Sequence, residues 1–504
     1  MIPWALLAVL AAAPVDFVES RLEVDGRLLS YETPDVDDDE RGDLLLVTRE
    51  GDDRVLRLHR HSDGGGFASE PTFRLALPRD VVAYGLFELR DEPGRELLLF
   101  TRNGVFSVST TRRGLRGNLR RELEAPLFPD LSSSDEVLRW EWARDVDGDG
   151  VEELIVPSER ALVVLSARGG EDGSRLVPVA TIPCRVDSET SSPGVDVRIG
   201  RARLDVRTDL PALFPGRAGR AASFGRGNLL RRSETWSLPR LVDWDGDRRL
   251  DAAVVTGDGV SVRRQASELR FLDAVEAGLP PAEDEDVSLR LVDLDGDGTH
   301  EAIRLAGDRD GLNRDYSATV YRRRGEGFDE TPTARIKLSA GNARFTFPDV
   351  DADGRRDLVV RAVELPTGID QLTSIRVDTR VLVFRGGDGG TLSTRPDARW
   401  DRSLRPDDLT RIRESFLAEL EGDFDGDGLA DLLVVRPDGL LQVLPLVRDG
   451  DGIAFSGEPL STYLPKRPVR DARPAYLSHD GIWDLVLRHD DGLTVFVSRA
   501  EGAR

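Results

Sequence analysis

The chain has 504 residues, of which 92 are acidic and 69 are Lys or Arg, giving a formal charge of −23 at pH 7. That balance argues against nucleic acid as a partner, because phosphate binding needs a basic footprint. The single cysteine, Cys184, rules out an intramolecular disulfide framework and reads as a small buried hydrophobe, while 28 prolines and 49 glycines suit a turn-rich, all-β chain.

Residues 1–13, "MIPWALLAVLAAA", form a short apolar run ending in small residues. It is expected to be a signal peptide, too short to span a bilayer, which leaves 14–504 as the mature chain. No later run reaches 18 apolar residues, so no membrane span is expected. "VDFVESRLEV" then reads as a strand.

The first motif, "DVDDDERGDLLLVT", sets Asp35, Asp37 and Asp39 at positions 1, 3 and 5 of a loop and Asp43 at position 9, with the Arg41 carbonyl at position 7. Carboxylates crowded in this way repel unless a cation sits among them. Calcium takes six to eight oxygens, and a loop of the Asp-x-Asp-x-Asp type offers them from alternate positions. An EF-hand would add a bidentate Glu at position 12 between helices; here Leu46 stands there, inside an apolar stretch that reads as a strand. "RGD" (41–43) has the form of an adhesion tripeptide, but Asp43 is a loop position, and the structural reading is preferred. His59 and His61 would share one face of a strand and read as a hairpin face rather than a metal pair.

The same phrase recurs along the chain. "DVDGDGVEELIVPS" supplies Asp145, Asp147, Asp149 and Glu153 with the Val151 carbonyl, and "DWDGDRRLDAAVVT" supplies Asp243, Asp245, Asp247 and Asp251 with that of Arg249. "DLDGDGTHEAIRLA" offers Asp293, Asp295, Asp297 and Glu301 with Thr299. "DVDADGRRDLVVRA" offers Asp349, Asp351, Asp353 and Asp357 with Arg355. "DFDGDGLADLLVVR" offers Asp423, Asp425, Asp427 and Asp431 with Leu429. Six loops therefore predict up to about six calcium ions. Those ions would neutralise 12 charges and leave about −11. The loops at Asp145, Asp293 and Asp423, with glycine at both positions 4 and 6, are expected to fill at the lowest calcium.

Two weaker copies fit the frame: that from Glu88 has Arg90 at position 3 but keeps Glu96 at position 9, and that from Tyr476 keeps only Asp480, Gly481 and Asp484. Both keep the strand that follows and are expected to hold no metal. Successive starts lie 53, 57, 98, 50, 56, 74 and 53 residues apart. A period of 50–57 residues carrying several short strands predicts propeller blades. The two long gaps suggest insertions near 185–232 and 362–412, or in the first case a degenerate extra blade. The last repeat ends one strand short, so the N-terminal strand is expected to complete it and close the ring. Eight blades are expected, with seven as the alternative. The one helical candidate, 406–422, must yield its second half to a strand if the frame holds.

These repeats resemble the FG-GAP/VCBS family, found in integrin α-subunit propellers and in many secreted bacterial proteins. The resemblance covers nearly all of the mature chain. It implies a single calcium-stabilised β-propeller serving recognition, adhesion or scaffolding, exported to the periplasm, the cell surface or the medium. Glu40 and Arg248, which replace the position-6 glycine, depart from the pattern.

Catalysis finds little support: five histidines, no G-x-S-x-G elbow and no H-E-x-x-H helix. The expected partner is a protein or glycan on a propeller face, with the chain a monomer; the alternative is a propeller-type carbohydrate-active enzyme, a polysaccharide lyase or hydrolase. For a sugar binder the aromatic candidates are Trp140, Trp142, Trp236, Trp244, Trp400 and Trp483, several of which fall where packing between blades is expected.

Overall fold

The computed structural model describes residues 16–499 except 63–64, 90–93, 112–113, 116–117, 129–136, 168–175, 192–198, 201–202, 211–229, 257–258, 268, 282–285, 308–312, 366–376, 405–417, 437, 451 and 479. The expected signal peptide lies outside the described residues.

Each repeat folds as a four-stranded antiparallel meander. Blades 1 to 7 span residues 27–77, 81–124, 143–183, 240–278, 286–340, 342–404 and 419–463. Blade 8 takes three strands from 471–499 and its fourth from Asp16–Glu23 at the other end of the chain. The ring thus closes by the expected donation, with eight blades rather than seven.

Composition explains the place of each strand. Second strands, such as Leu44–Glu50, Glu96–Thr101 and Glu301–Gly307, are runs of consecutive buried residues. A strand covered on both faces has no polar side to alternate with. Fourth strands alternate instead: Phe73–Leu77 and Ala398–Leu404 expose every second residue, as the outer edge of a blade should. First strands converge on the axis. Arg139, just ahead of blade 3, reaches past blade 2 to pair with Glu32 of blade 1.

The apolar core is divided into eight clusters, each formed by two neighbouring blades. The cluster holding Leu22, Leu28, Leu44 and Val486 joins blade 8 to blade 1. No blade can bury its own two faces, so the ring is stable only as a whole.

The two expected insertions fare differently. Residues 185–237 form an extra sheet whose strand order, Arg185–Ser191, Leu230–Ser237, Arg203–Leu210, Ile199–Gly200, is not a blade meander. Residues 362–412 are no insertion as a block, because Val377–Phe384 and Ala398–Leu404 are the third and fourth strands of blade 6. The extra length of that repeat falls at 366–376 and 405–417, outside the described residues. Most of the helical candidate lies there too, and Glu419–Leu420 at its end is a strand, as the repeat frame required.

Candidate metal centre

All eight loops connect the first strand of a blade to the second, so they stand together at one end of the ring. Within each acidic loop the position-1 carboxylate organises the turn. Asp145 Oδ1 accepts the Gly148 and Asp149 amides at 2.8 and 3.1 Å, and its Oδ2 accepts that of Gly150 at 2.9 Å. Asp423 repeats this with Gly426 at 2.6 Å and Gly428 at 2.7 Å. Positions 4 and 6 take the left-handed conformation that favours glycine. Glu40 (φ 65°) and Arg248 (φ 70°) adopt it at position 6, where other loops have Gly150, Gly298, Gly354 and Gly428. The backbone is therefore retained where the glycine is not, against a steric cost of about 1–2 kcal/mol per residue.

The geometry gathers ligand atoms. Three carboxylate oxygens lie within 4.8 Å of one another in the sets Asp35–Asp37–Asp39, Asp145–Asp147–Glu153, Asp243–Asp245–Asp251, Asp293–Asp295–Asp297 and Asp349–Asp351–Asp353. An all-oxygen set of this kind suits a hard cation such as calcium or magnesium. The carboxylates also carry the electrostatic mark of crowding. Burial, then the neighbouring acid charges, pushes Asp425 up to about 6 and Glu301 up to about 7.

Position 9 does something the sequence did not suggest. Its carboxylate is buried in every blade and reaches back to the amide of position 2: Asp43 to Val36, Glu96 to Leu89, Glu153 to Val146, Asp251 to Trp244, Glu301 to Leu294, Asp357 to Val350, Asp431 to Phe424 and Asp484 to Leu477, at 2.6–3.3 Å. Where it is Asp, the second oxygen accepts an amide just beyond the third strand, from His61, Gln265, Gly386 or Leu446, or near that strand's end, from Ser498. One acid thus fastens the loop to the far side of its own blade. This explains why the degenerate repeats keep Glu96 and Asp484.

Neighbouring loops are stapled to each other as well. The position-8 amide donates to the position-2 carbonyl of the preceding blade, as in Gly42 to Leu477, Arg95 to Val36, Leu250 to Val146, Arg356 to Leu294 and Ala430 to Val350, at 2.8–3.0 Å. Between blades 4 and 5 a cleft opens instead, lined by Asp243, Asp245, Asp297, Thr299, Trp244 and Arg323, with the Arg323 guanidinium stacked 4.1 Å from the Trp244 ring centroid.

Arginines divide the six acidic loops into two kinds. In blades 1, 4 and 6 the position-7 side chain folds onto position 5: Arg41 on Asp39 at 2.8 Å, Arg249 on Asp247, and Arg355 on Asp353 at 2.6 Å. In the same three blades the residue after the third strand is an arginine turned to position 3. Arg60 pairs with Asp37, Arg264 lies 3.9 Å from Asp245, and Arg385 lies 2.9 Å from Asp351. Burial pushes Asp353 upward, yet Arg355 outweighs it and holds the group below the ordinary carboxylate range. In blades 3, 5 and 7 position 7 is Val151, Thr299 or Leu429, and among the described residues Asp145, Asp147, Asp293, Asp295, Asp423 and Asp425 make no ion pair. The position-7 arginines coincide with the loops that lack one glycine (blades 4 and 6) or both (blade 1), a covariation the sequence displays. The arginine after the third strand does not follow it as strictly, since blade 5 has Arg322 there.

The remaining candidates are structural. Asp43 of the RGD tripeptide is 1% exposed and spent on two amides. His59 and His61 are buried, His59 against the Ala68 carbonyl at 3.0 Å and His61 stacked on Phe67. Trp244 is buried, Trp140 packs on Trp142 and bonds the Ile155 carbonyl, and Trp400 and Trp483 line interblade clusters; the Trp236 side chain lies outside the description. Burial pushes the half-buried Cys184 thiol up to about 11, which suits an inert residue. Among the described residues there is no helix long and apolar enough to cross a membrane.

No protein-family model matches the chain, and a search of curated proteins finds no match. Among solved structures it is similar to an Agrocybe aegerita lectin that recognises non-reducing terminal N-acetylglucosamine, at 12% identity over 83% of this chain and 92% of that one, with a TM-score of 0.39. It is similar as well to Chaetomium thermophilum Sqt1 bound to the N-terminus of ribosomal protein L10, at 11% identity over 95% and 98%, TM-score 0.41. A third likeness is to BBS1N in complex with ARL6DN, at 10% identity over 97% and 98%, TM-score 0.34. At this level of likeness the fold assignment rests on the strand pairing itself.

Proposed function

We propose that this chain is an exported, calcium-stiffened propeller of the FG-GAP/VCBS kind that works as a recognition, adhesion or scaffold module for a protein or glycan. The observation that carries this reading is the repetition of one acidic, all-oxygen loop at the same corner of six blades. Export supports the metal, since calcium is abundant outside the cytosol. Each blade leaves only a short, alternating outer strand as a sheet edge, which supports a monomer.

Calcium would be held by positions 1, 3 and 5, the position-7 carbonyl and, where it turns inward, position 9. Its charge would relieve the repulsion among the carboxylates. The loops of blades 3, 5 and 7 fit it best: Asp145, Asp147, Asp149, Val151 and Glu153; Asp293, Asp295, Asp297, Thr299 and Glu301; Asp423, Asp425, Asp427, Leu429 and Asp431. In blades 1, 4 and 6 arginine already supplies positive charge, so about three tight ions replace the six that the motif count implied.

The test is thermal unfolding of the purified chain with chelator and with millimolar calcium, followed by a glycan array and a cell-surface pull-down in both conditions. A clear rise of Tm with calcium, and capture that depends on it, are expected. Superimposed melts overturn the metal reading, and calcium-independent capture separates recognition from it.

A further inference from the structure

The loop end of the ring crowds negative charge, and the first strands of blades 4 to 6 do the opposite. "PRLVDWDGD" and "LRLVDLDGD" place Arg240 and Arg290 three residues ahead of their loops, in successive blades. Both sit on first strands, which converge at the axis. Arg240 donates to the Leu291 carbonyl of blade 5 at 3.4 Å, and Arg290 repeats the bond to the Phe345 carbonyl of blade 6 at 3.3 Å. Each guanidinium is thereby laid against the first strand of the next blade. Arg344, also on a first strand, continues the file one residue pair further from its loop.

Elsewhere along the axis, charges are matched. Glu32 pairs with Arg139, Arg139 with Glu141, and Arg361 with Glu419 at 2.8 Å, while Arg344, at the end of the file, shares the surroundings of Glu421 with Arg473. Arg240 and Arg290 have no such partner: among the described residues neither forms an ion pair, and the charge each feels is the next arginine of the file. Both are half-buried, where an isolated like-charge pair is costly. The cost disappears if an anion lies between them, since guanidinium forks match carboxylate and sulfate geometry.

We propose that the first strands of blades 4 to 6 form an oxyanion site at the axis, in which Arg240 and Arg290, flanked by Arg344, hold a carboxylate or sulfate group of the ligand. Acidic glycans carry both groups. This inference does not depend on the calcium reading, because none of the three arginines belongs to a loop.

The test is isothermal titration of the full chain, in low-salt buffer with calcium present, using sodium glucuronate and sodium sulfate in separate arms and sodium chloride at matched ionic strength as control. Both oxyanions should bind and chloride should not; a glucuronate response alone would assign the site to carboxylates, and a sulfate response alone to sulfates. Arg290→Gln and Arg240→Gln should each weaken binding about ten- to a hundred-fold. Arg324→Gln, on the exposed blade 5 hairpin, should leave it unchanged, and calcium stoichiometry should be the same in all variants. Two independent positions keep the test open if one variant folds poorly. No oxyanion binding to the wild-type chain, unchanged affinity in both Gln variants, or equal loss in Arg324→Gln overturns the proposal.

Discussion

Val18 lies directly opposite Val497 in an antiparallel pair, although 479 residues of chain separate them. The pair belongs to an eight-residue register, Asp16↔Arg499 to Glu23↔Gly492, that joins the two ends of the chain within blade 8. Cysteines at Val18 and Val497 should therefore form a disulfide in the folded chain and none in denaturant. The register also shows that Phe17 faces Ser498 and that Val495 faces Ser20, so pairing Phe17 with Val495 would miss by three residues. The cross-link should raise stability by about 2–4 kcal/mol, as a large closed loop does. Deleting Asp16–Glu23 should accelerate hydrogen exchange most in Gly492–Arg499, whose edge loses its partner. Protection there equal to that of the full chain would mean that the ring does not depend on this strand.

Asp484 allows the position-9 acid to be tested apart from any metal, because its loop lacks the carboxylates at positions 1 and 3. It accepts the amides of Leu477 at 2.6 Å, Ser478 at 2.9 Å and Ser498 at 2.6 Å. Asp484→Ala strands buried donors and should cost about 3 kcal/mol. Asp484→Asn keeps one acceptor and should cost less. Burial raises the Asp484 pKa above its unfolded value, so its protonated form favours the folded chain. The stability contributed in this way is fully present below the unfolded pKa and is lost as pH rises through the folded value. Urea melts across that window, compared with Asp484→Asn, should show a slope in the wild type that the variant lacks. Identical slopes would remove Asp484 as their source.

Gly85 tests how closely the first strands converge. A Cβ there would stand 2.1 Å from the Trp140 carbonyl oxygen, which is backbone of the segment entering blade 3 and cannot rotate away. The Trp140 amide also donates to the Tyr84 carbonyl at 2.7 Å, so the two segments cannot separate without losing that bond. Gly85→Ala should lower stability by about 3 kcal/mol or more, the upper range for overpacking. Gly278→Ala, with nothing within 4 Å of its Cβ, is the control and should be nearly neutral. Equal Tm values for the two variants would contradict the interface.

The parts of this molecule that could be read in advance are local ones. Alternating Asp at positions 1, 3 and 5 is a turn of nine residues that carries its own chemistry, and the unbroken apolar second strand follows it immediately. Ring closure was legible too, because a missing strand at one end matched a spare at the other. The double duty of Asp43, Asp251 and Asp357 was hidden, since their second donors, His61, Gln265 and Gly386, lie 14 to 29 residues downstream and are identified only once the third strand is in register. Arg60, Arg264 and Arg385 were hidden for the same reason, although their repeat position just before those donors could have been noticed. The sheet at 185–237 carries no acidic loop, so the repeat frame marked its place as a long gap but gave nothing of its strand order.

Whether arginine stands in for a cation decides how many ions this ring takes. If it does, native mass spectrometry at rising calcium should fill about three sites first, in blades 3, 5 and 7. Asp425→Ala should remove one ion of that set, and Ser478→Ala, in a degenerate loop, should remove none. The converse change is more telling. Arg355→Leu gives blade 6 the position-7 residue type of blade 7, and Arg385→Gln withdraws the charge 2.9 Å from Asp351. Asp349, Asp351 and Asp353 would then keep Arg448, which donates to the Asp351 carbonyl at 3.3 Å, as their remaining cation, so without calcium the double variant should be less stable than the wild type. With calcium it should hold one additional ion and recover, since a site saturated at a hundred times its Kd contributes about 2.7 kcal/mol. A double variant that gains no ion, or a wild type that fills six sites in one step, would show that these arginines are only surface partners of acids that bind metal regardless.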